Sequence, residues 1–244
     1  MIIPLEELAI NAWPALQTLL VDGWVLRLAD GYTRRANSIN PLYPTHQPIL
    51  DKMRACEDLY RSRGQNVIYK MTPAVYPADL DATLEAEGYR LDAETSVQTV
   101  ELTNNEFSVQ HDVILSEELA DAWLAAVCRM SSIDVLRAVT LRQILSLIVP
   151  RHCYASIQQQ GEIIACGLAV VQEGFVGFYE IVTDLRFRRQ GYGESIMQAL
   201  MHWGQQVGAQ TAYLQVMKNN PPALRLYAKL GFSELYPYWY RVKA

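Results

Sequence analysis

The chain has 244 residues, of which 50% are hydrophobic and 19% charged, with a formal net charge of -5. This is the usage of a globular protein of one large or two ordinary domains, and it excludes a disordered or fibrous chain. A nucleic-acid partner would need a local basic patch working against the overall field, and no Lys/Arg run of that length occurs, so small or cationic partners fit better.

The opening "MIIPLEELAI" has neither a basic n-region nor a long apolar core. Runs such as "ILSLIVP" fall far short of the roughly 20 residues of a membrane span, so a cytoplasmic protein without a membrane partner is expected. In the first hundred residues, "GWVLRLADGYTRRANSI" reads as a hairpin, "PILDKMRACEDLYRSRG" as a helix and "NVIYKM" as a strand. "PADLDATLEAEGY" then reads as a helix and "TSVQTVEL" as a strand. Polar residues replace periodicity in "ELTNNEFSVQHD", which sets the expected boundary between domains 1–105 and 106–244.

Beyond it, "SEELADAWLAAVCRM" spaces Leu119, Trp123, Leu124 and Val127 on one helical face, with Ser116 as the expected N-cap. "HCYASIQQQ", "EIIACGLAVVQ" and "FVGFYEIVTD" follow at short intervals as an antiparallel meander. A helix to about Val207, a strand "TAYLQVM", a helix "PPALRLYAKL" and a strand near "LYPYWYRV" complete the chain. Hairpins followed by two helical crossovers predict an α+β (mixed α/β) fold with a mixed central sheet flanked by helices. "LEAEGYRLDAETSVQTVEL" and "LYAKLGFSELYPYWYRV" share a helix end, a glycine, an aromatic and an alternating strand, which suggests a partial repeat.

The four cysteines (56, 128, 153, 166) include no Cys-x-x-Cys pair, and the four histidines (46, 111, 152, 202) show no zinc spacing. Reduced, buried thiols and no metal are expected. "RRQGYG" (188–193) is the stretch that asks for a ligand. Gly191 and Gly193 allow close approach to the N–H groups that open the helix of Ser195, Ile196, Met197, Leu200, Met201 and Trp203, and Arg188 and Arg189 add positive charge. A phosphate fits there; a tight turn beside solvated arginines is the alternative. With Ile196 in the place of a third glycine, this is not the dinucleotide fingerprint, and it is not a P-loop.

"RRQGYG", the preceding "VTD" (182–184) and the later "NNPPALRLYAKLGF" (219–232) together resemble the GNAT superfamily of acetyl-CoA-dependent N-acetyltransferases over roughly residues 112–244. The resemblance implies a GNAT-like fold, read as a tandem of a partial and a complete unit, with the first hundred residues lacking the coenzyme loop. It implies that Arg188, Arg189, Gln190, Gly191, Tyr192, Gly193 and Glu194 surround the coenzyme A pyrophosphate. It also implies that the main chain of Ile181, Val182 and Thr183 pairs with the pantetheine arm and that Asn220 bonds that arm. Tyr227 stands where the family often places the acid that protonates the departing thiolate. Asn220 reads equally as a helix N-cap before Pro221, and Tyr227 as a core aromatic with Leu224 and Leu230. Glu180, an isolated carboxylate in an apolar strand, is the candidate base if burial raises its pKa; an edge carboxylate facing water is the alternative.

The reaction so implied is direct transfer of an acetyl group from acetyl-CoA to a primary amine of a small molecule or peptide, in a ternary complex without an acyl-enzyme. A non-catalytic acyl-CoA-binding module and a nucleotide-binding protein are the rival readings. Edge strands and the aromatic C-terminus leave a homodimer open.

Overall fold

A computed structural model of the chain describes residues 1–103 and 106–243. In chain order the elements are α1 (Ile2–Ala12), β1 (Gln17–Val21), β2 (Trp24–Leu28), β3 (Ile39–Pro41), α2 (Ile49–Arg61), β4 (Val67–Met71), α3 (Leu80–Ala86) and β5 (Arg90–Glu101). There follow β6 (Ile114–Ser116), α4 (Asp121–Met130), α5 (Val135–Ser146), β7 (Arg151–Gln159), β8 (Glu162–Gln172) and β9 (Phe175–Thr183). The chain ends with α6 (Tyr192–Gln206), β10 (Thr211–Met217), α7 (Pro221–Lys229) and β11 (Ser233–Lys243). Antiparallel hairpins combined with parallel pairing across helices make this the expected mixed α/β fold.

Two compact units interleave in sequence: one comprises Met1–Ser96, Met217–Asn219 and Tyr236–Ala244, the other Val97–Val216 and Asn220–Leu235. The boundary expected between residues 105 and 106 falls at Asn105, which lies outside the described residues.

In the first unit, strands β1 to β4 are followed by the Tyr236–Lys243 part of β11. β2 and β3 form the expected antiparallel pair, and β3 runs parallel to β4 with Ile39 opposite Tyr69. The core is Trp24, Leu26, Ile39, Met53, Tyr60, Tyr69, Leu80 and Leu84, with α2 supplying Met53, Cys56 and Tyr60 from one face. Two elements escape the sequence reading. α1 buries Leu5, Leu8, Ala9 and Ala12 at helical spacing, and β1 pairs with β2 through an Asp22-Gly23 turn in which both residues have positive φ. Tyr236, Tyr238 and Tyr240 point inward while Trp239 is half-buried, the alternation expected of a closing strand.

In the second unit, β7, β8 and β9 form the predicted antiparallel meander, flanked by β6 on one side and by parallel β10 on the other. α6 lies on this sheet, burying Ile196, Met197, Leu200, Met201 and Trp203. Gly167 makes the close approach possible: a Cβ there would sit 2.6 Å from Ile196 Cγ2 and 2.9 Å from Leu200 Cδ1. Fully burying each of these two side chains stabilises the unit by ~1.5–3 kcal/mol, so the helix is held by its inner face.

Ser116 is not the N-cap of α4. It ends β6, because Ile114 and Leu115 pair with Ser156 and Ala155 of β7, and its hydroxyl accepts from the Glu118 amide at 3.1 Å. The helix begins only at Asp121, with Trp123 Nε1 donating to the Ala155 carbonyl at 2.9 Å. α5 was not expected either. Its apolar residues lie on opposite faces, Leu141, Ile144 and Leu145 buried but Val135 and Leu136 81% and 82% exposed, so no single apolar stripe marks it.

One order of elements occurs twice. β3, α2, β4, α3, β5 and β9, α6, β10, α7, β11 each run strand, helix, parallel strand, helix, strand. The helix ends match in detail. Gly88 and Gly231 both have φ of 86°, and the next amide, Tyr89 or Phe232, donates back to the carbonyl of Leu84 or Tyr227 at 2.9 and 3.0 Å.

Candidate active site

The site is built where β9 parts from β10. Their parallel register runs from Thr211 opposite Phe175 to Leu214 opposite Phe178 and stops there. On the other edge β9 stays paired with β8, where Leu168 faces Tyr179 but Cys166 faces Val182. β9 therefore carries an extra residue between these pairs, and Glu180, with φ of 50°, takes the left-handed conformation of such a bulge. Beyond the bulge, Ile181, Val182 and Thr183 are half-buried and have turned away from β10. Their backbone on that edge can take an extended chain by strand addition.

The strand then enters a tightly pinned turn. Asp184 accepts from the Arg186 amide at 3.0 Å, from Arg186 Nε at 3.0 Å and from Arg129 Nη1 at 2.5 Å. Its carboxyl is held well below the usual range, first by the Arg186 guanidinium and then by the Arg186 amide. Arg186 and Arg129 are thus engaged with Asp184 and Glu162. Arg188 donates from Nε to the Thr183 carbonyl at 3.3 Å and is exposed, as is Arg189.

Arg189 and Gly191 have φ of 61° and 85°, and the chain passes directly into α6 with no side-chain cap. The first intrahelical bond, Ser195 N–H to the Gly191 carbonyl, leaves the amides of Tyr192, Gly193 and Glu194 ahead of it. Gly193 faces β9 and α7: a Cβ there would lie 3.4 Å from Thr183 Oγ1 and 3.6 Å from Leu226 Cδ2. Lys229 of α7 binds the Glu194 carboxylate at 2.6 Å, tying the two helix faces together. This corner suits a compact anion, because amides and helix dipole converge there and two glycines remove side-chain bulk.

The remaining sequence-predicted residues are distributed around this corner. Asn220 caps α7, its Oδ1 accepting from the Ala223 amide at 3.3 Å, with Pro221 at the first helical position. Tyr227 is the residue that α7 buries; its ring meets Phe232 edge-on at 6.0 Å and joins the core beside Leu224 and Leu230. Glu180 is half-buried, and its charge is felt at Cys128 of α4 and Cys166 of β8. All four cysteines are free thiols. Burial pushes Cys153 up to about 11 and Cys166 up to about 12, which leaves neither a useful nucleophile near neutral pH.

Two residues at the corner were not singled out from the sequence, Gln110 and His111. They come from the polar segment that precedes β6 and reach Gly191 from 80 positions away, so no local pattern could place them. In the sequence Asp184 is only the end of "VTD"; its role as the anchor of the turn needs Arg129 of α4, which spacing does not supply.

The fold around this corner is that of the GCN5-related N-acetyltransferases. The chain superposes on such a protein from Kribbella flavida with a TM-score of 0.73 at 14% identity, over 99% of this chain and 95% of the other. A tandem GNAT protein from the clavulanic acid biosynthesis pathway gives a TM-score of 0.67 at 13% identity, covering 98% and 86%. The chain belongs to the acetyltransferase family described as "Probable histone acetyltransferase Rv0428c C-terminal", whose pattern matches residues 1–241. It is 27% identical to the uncharacterized N-acetyltransferase YobR of Bacillus subtilis over 98% of this chain and 97% of that protein. It is also 29% identical over 84 residues to the [ribosomal protein bS18]-alanine N-acetyltransferase of Escherichia coli K12, covering 34% of this chain and 57% of that protein.

Proposed function

We propose that this acetyltransferase uses acetyl-CoA and transfers the acetyl group to a primary amine of a small molecule or peptide by direct attack. The observation that carries the reading is the junction of the unpaired edge of Ile181–Thr183 with the glycine-lined start of α6. An extended arm fits the first and a diphosphate the second, which is the shape of coenzyme A. The thioester it brings supplies the activated acetyl group. The amides of Gly191 to Glu194 bind the diphosphate, and Arg188 and Arg189 add positive charge at its exposed side. Val182 and its neighbours orient the arm by main-chain bonds, and Asn220 adds a polar contact at the start of α7.

Glu180 stands on the bulge at the point where the arm would end, and accepts the proton that the amine must lose. Tyr227 is the proton donor to the sulfur that departs, a task for which a phenol is well matched to a thiol. The buried, protonated cysteines support direct transfer over an acyl-enzyme. The similarity to a ribosomal-protein alanine acetyltransferase supports a peptide amine as one acceptor class. We read the first unit, whose element order repeats that of the second, as a partial GNAT-like unit that does not hold coenzyme.

Calorimetric titration of acetyl-CoA, followed by turnover against a panel of amines and peptide N-termini, tests the reading. Tyr227→Phe is expected to lower kcat by about 10²-fold or more, the range of a general acid, with acetyl-CoA affinity unchanged. Equal kcat in the variant removes Tyr227 from the chemistry. Tight acetyl-CoA binding with no turnover on any amine favours a non-catalytic binding module.

A further inference from the structure

The segment from Glu106 to Val113, which links β5 to β6, lies along α6 and ends against the coenzyme loop. Phe107 faces the His202 ring at 5.6 Å, and the Ser108 amide donates to the Gln198 side chain. Phe107 and Val113 also pack against the core of the second unit. At the N-terminal end of α6, His111 stacks on Tyr192 with ring centroids 4.2 Å apart and planes inclined by 33°. Its Nε2 lies 3.0 Å from the Gln190 carbonyl oxygen. A carbonyl can only accept, so this contact requires the proton on Nε2.

The peptide between Gln190 and Gly191 is the one that most needs such a hold. It joins Gln190, which follows Arg189 with its positive φ, to Gly191, whose φ is also positive, and the glycine on one side removes the Cβ that would otherwise restrict rotation of the peptide plane. In a planar trans peptide the C=O and N–H point in opposite directions. By drawing the Gln190 carbonyl toward itself, His111 turns the Gly191 N–H to the opposite side of the loop, away from the segment that covers it. The cover is close: a Cβ on Gly191 would lie 3.3 Å from Gln110 Oε1 and 3.4 Å from His111 Nε2. A side chain at Gly191 would thus press on the ends of Gln110 and His111, besides the strain of its φ of 85°.

We propose that His111 is a positioning residue for the diphosphate of the acyl donor, acting through the orientation of the Gln190–Gly191 peptide. The inference rests on the reading of the loop as the acetyl-CoA site. It assigns to the segment before β6 a part in donor binding, and it makes the effect of His111 specific to the phosphate-bearing half of the donor.

The test compares acetyl-CoA with S-acetyl-pantetheine, which has the arm and thioester but no diphosphate. Both are titrated calorimetrically into the full chain as wild type, His111→Ala and His111→Gln, the second donor measured by displacement of the first where its heat is small. His111→Ala is expected to weaken acetyl-CoA by about tenfold, the worth of one well-placed hydrogen bond. S-acetyl-pantetheine should bind both proteins alike, and His111→Gln, which keeps an N–H at similar reach, should recover most of the loss. Unchanged acetyl-CoA affinity, or equal weakening of both donors, overturns the role of His111. A folded wild type that does not bind acetyl-CoA overturns the coenzyme reading instead, a result distinct from either. Thermal melts of both variants show whether any loss reflects folding, and the Gln variant keeps the test decisive if the Ala variant melts early.

Discussion

The approaches to α2 and α6 occupy the same place in the repeated order of strand, helix and parallel strand, yet their amides are satisfied in opposite ways. Ahead of α2, Asp22 from the β1–β2 turn accepts from the amides of His46 and Gln47 at 2.9 and 3.0 Å and from the Thr45 hydroxyl at 2.5 Å. Lys52, fully buried, sits 3.5 Å from the same carboxylate and donates to the Asp22 carbonyl at 2.5 Å. Ahead of α6 the cap is Gly191, and among the described residues no side-chain carboxylate takes the place that Asp22 holds in the first unit. A turn that gathers N–H groups calls for negative charge. One unit supplies it covalently, and the other keeps the position open. The two approaches thus differ in their internal anion as well as in their glycines.

The comparison breaks most sharply if the second loop is given the first loop's solution. Gly191→Asp places a carboxylate among the α6 amides, and its Cβ meets Gln110 and His111. Acetyl-CoA affinity should fall by about 100-fold or more, as two like charges compete for one set of donors. The chain should remain folded, at a cost of roughly 1–3 kcal/mol for a non-glycine residue in the left-handed region. Calorimetry and a thermal melt read the two effects separately. Binding within about tenfold of wild type would place the phosphates elsewhere.

The reverse substitution has a smaller effect. Asp22→Ala frees the amides of His46 and Gln47 and removes the carboxylate facing buried Lys52, which keeps its bonds to the residue-22 carbonyl and the Thr45 hydroxyl, while acetyl-CoA binding is unaffected. The variant should melt several degrees below wild type, and added sulfate should raise its melting temperature more than that of wild type, because an anion that binds only the folded state stabilises it. Equal sulfate responses would mean that the loop rearranges once the carboxylate is gone.

Much of the second unit was legible in the sequence, because its strands alternate cleanly and its glycine loop has a chemical reason that survives without a structure. The meander, α6 and the Asn220 cap all follow from local period and cap chemistry. The first unit was less legible, although its signals were present. Asp22-Gly23 is a hairpin turn by residue type, and Leu5, Leu8, Ala9 and Ala12 keep helical spacing, but both signals are short and stand in a stretch without the clean alternation of the second unit. What sequence could not give was assembly at long range. The bulge at Glu180 needs the register of β8, the Asp184 anchor needs Arg129, and the cover over Gly191 needs His111.

The smallest expected effect concerns pH, and it treats the two units alike. Asp22 and Asp184 both have carboxyls held well below the ordinary range: Asp22 first by the Thr45 hydroxyl and the amides of Gln47 and His46, Asp184 first by Arg186. A depressed native pKa means that near pH 3–4, around the ordinary carboxyl value of about 3.9, the unfolded chain binds more protons than the folded one. Stability contributed by each carboxylate is therefore complete above that value and is lost as pH falls toward the lower native one. Urea midpoints measured from pH 5 down to pH 3 should decline for wild type, and Asp22→Asn or Asp184→Asn should each flatten part of the slope. The Asp184 share should shrink with added salt, since Arg186 and Arg129 are 59% and 41% exposed. The Asp22 share should resist salt more, because its main partners are a hydroxyl and two backbone amides. Parallel curves for wild type and both variants would mean that neither carboxylate is coupled to folding, and the internal anion of the first unit would then be an accident of the turn.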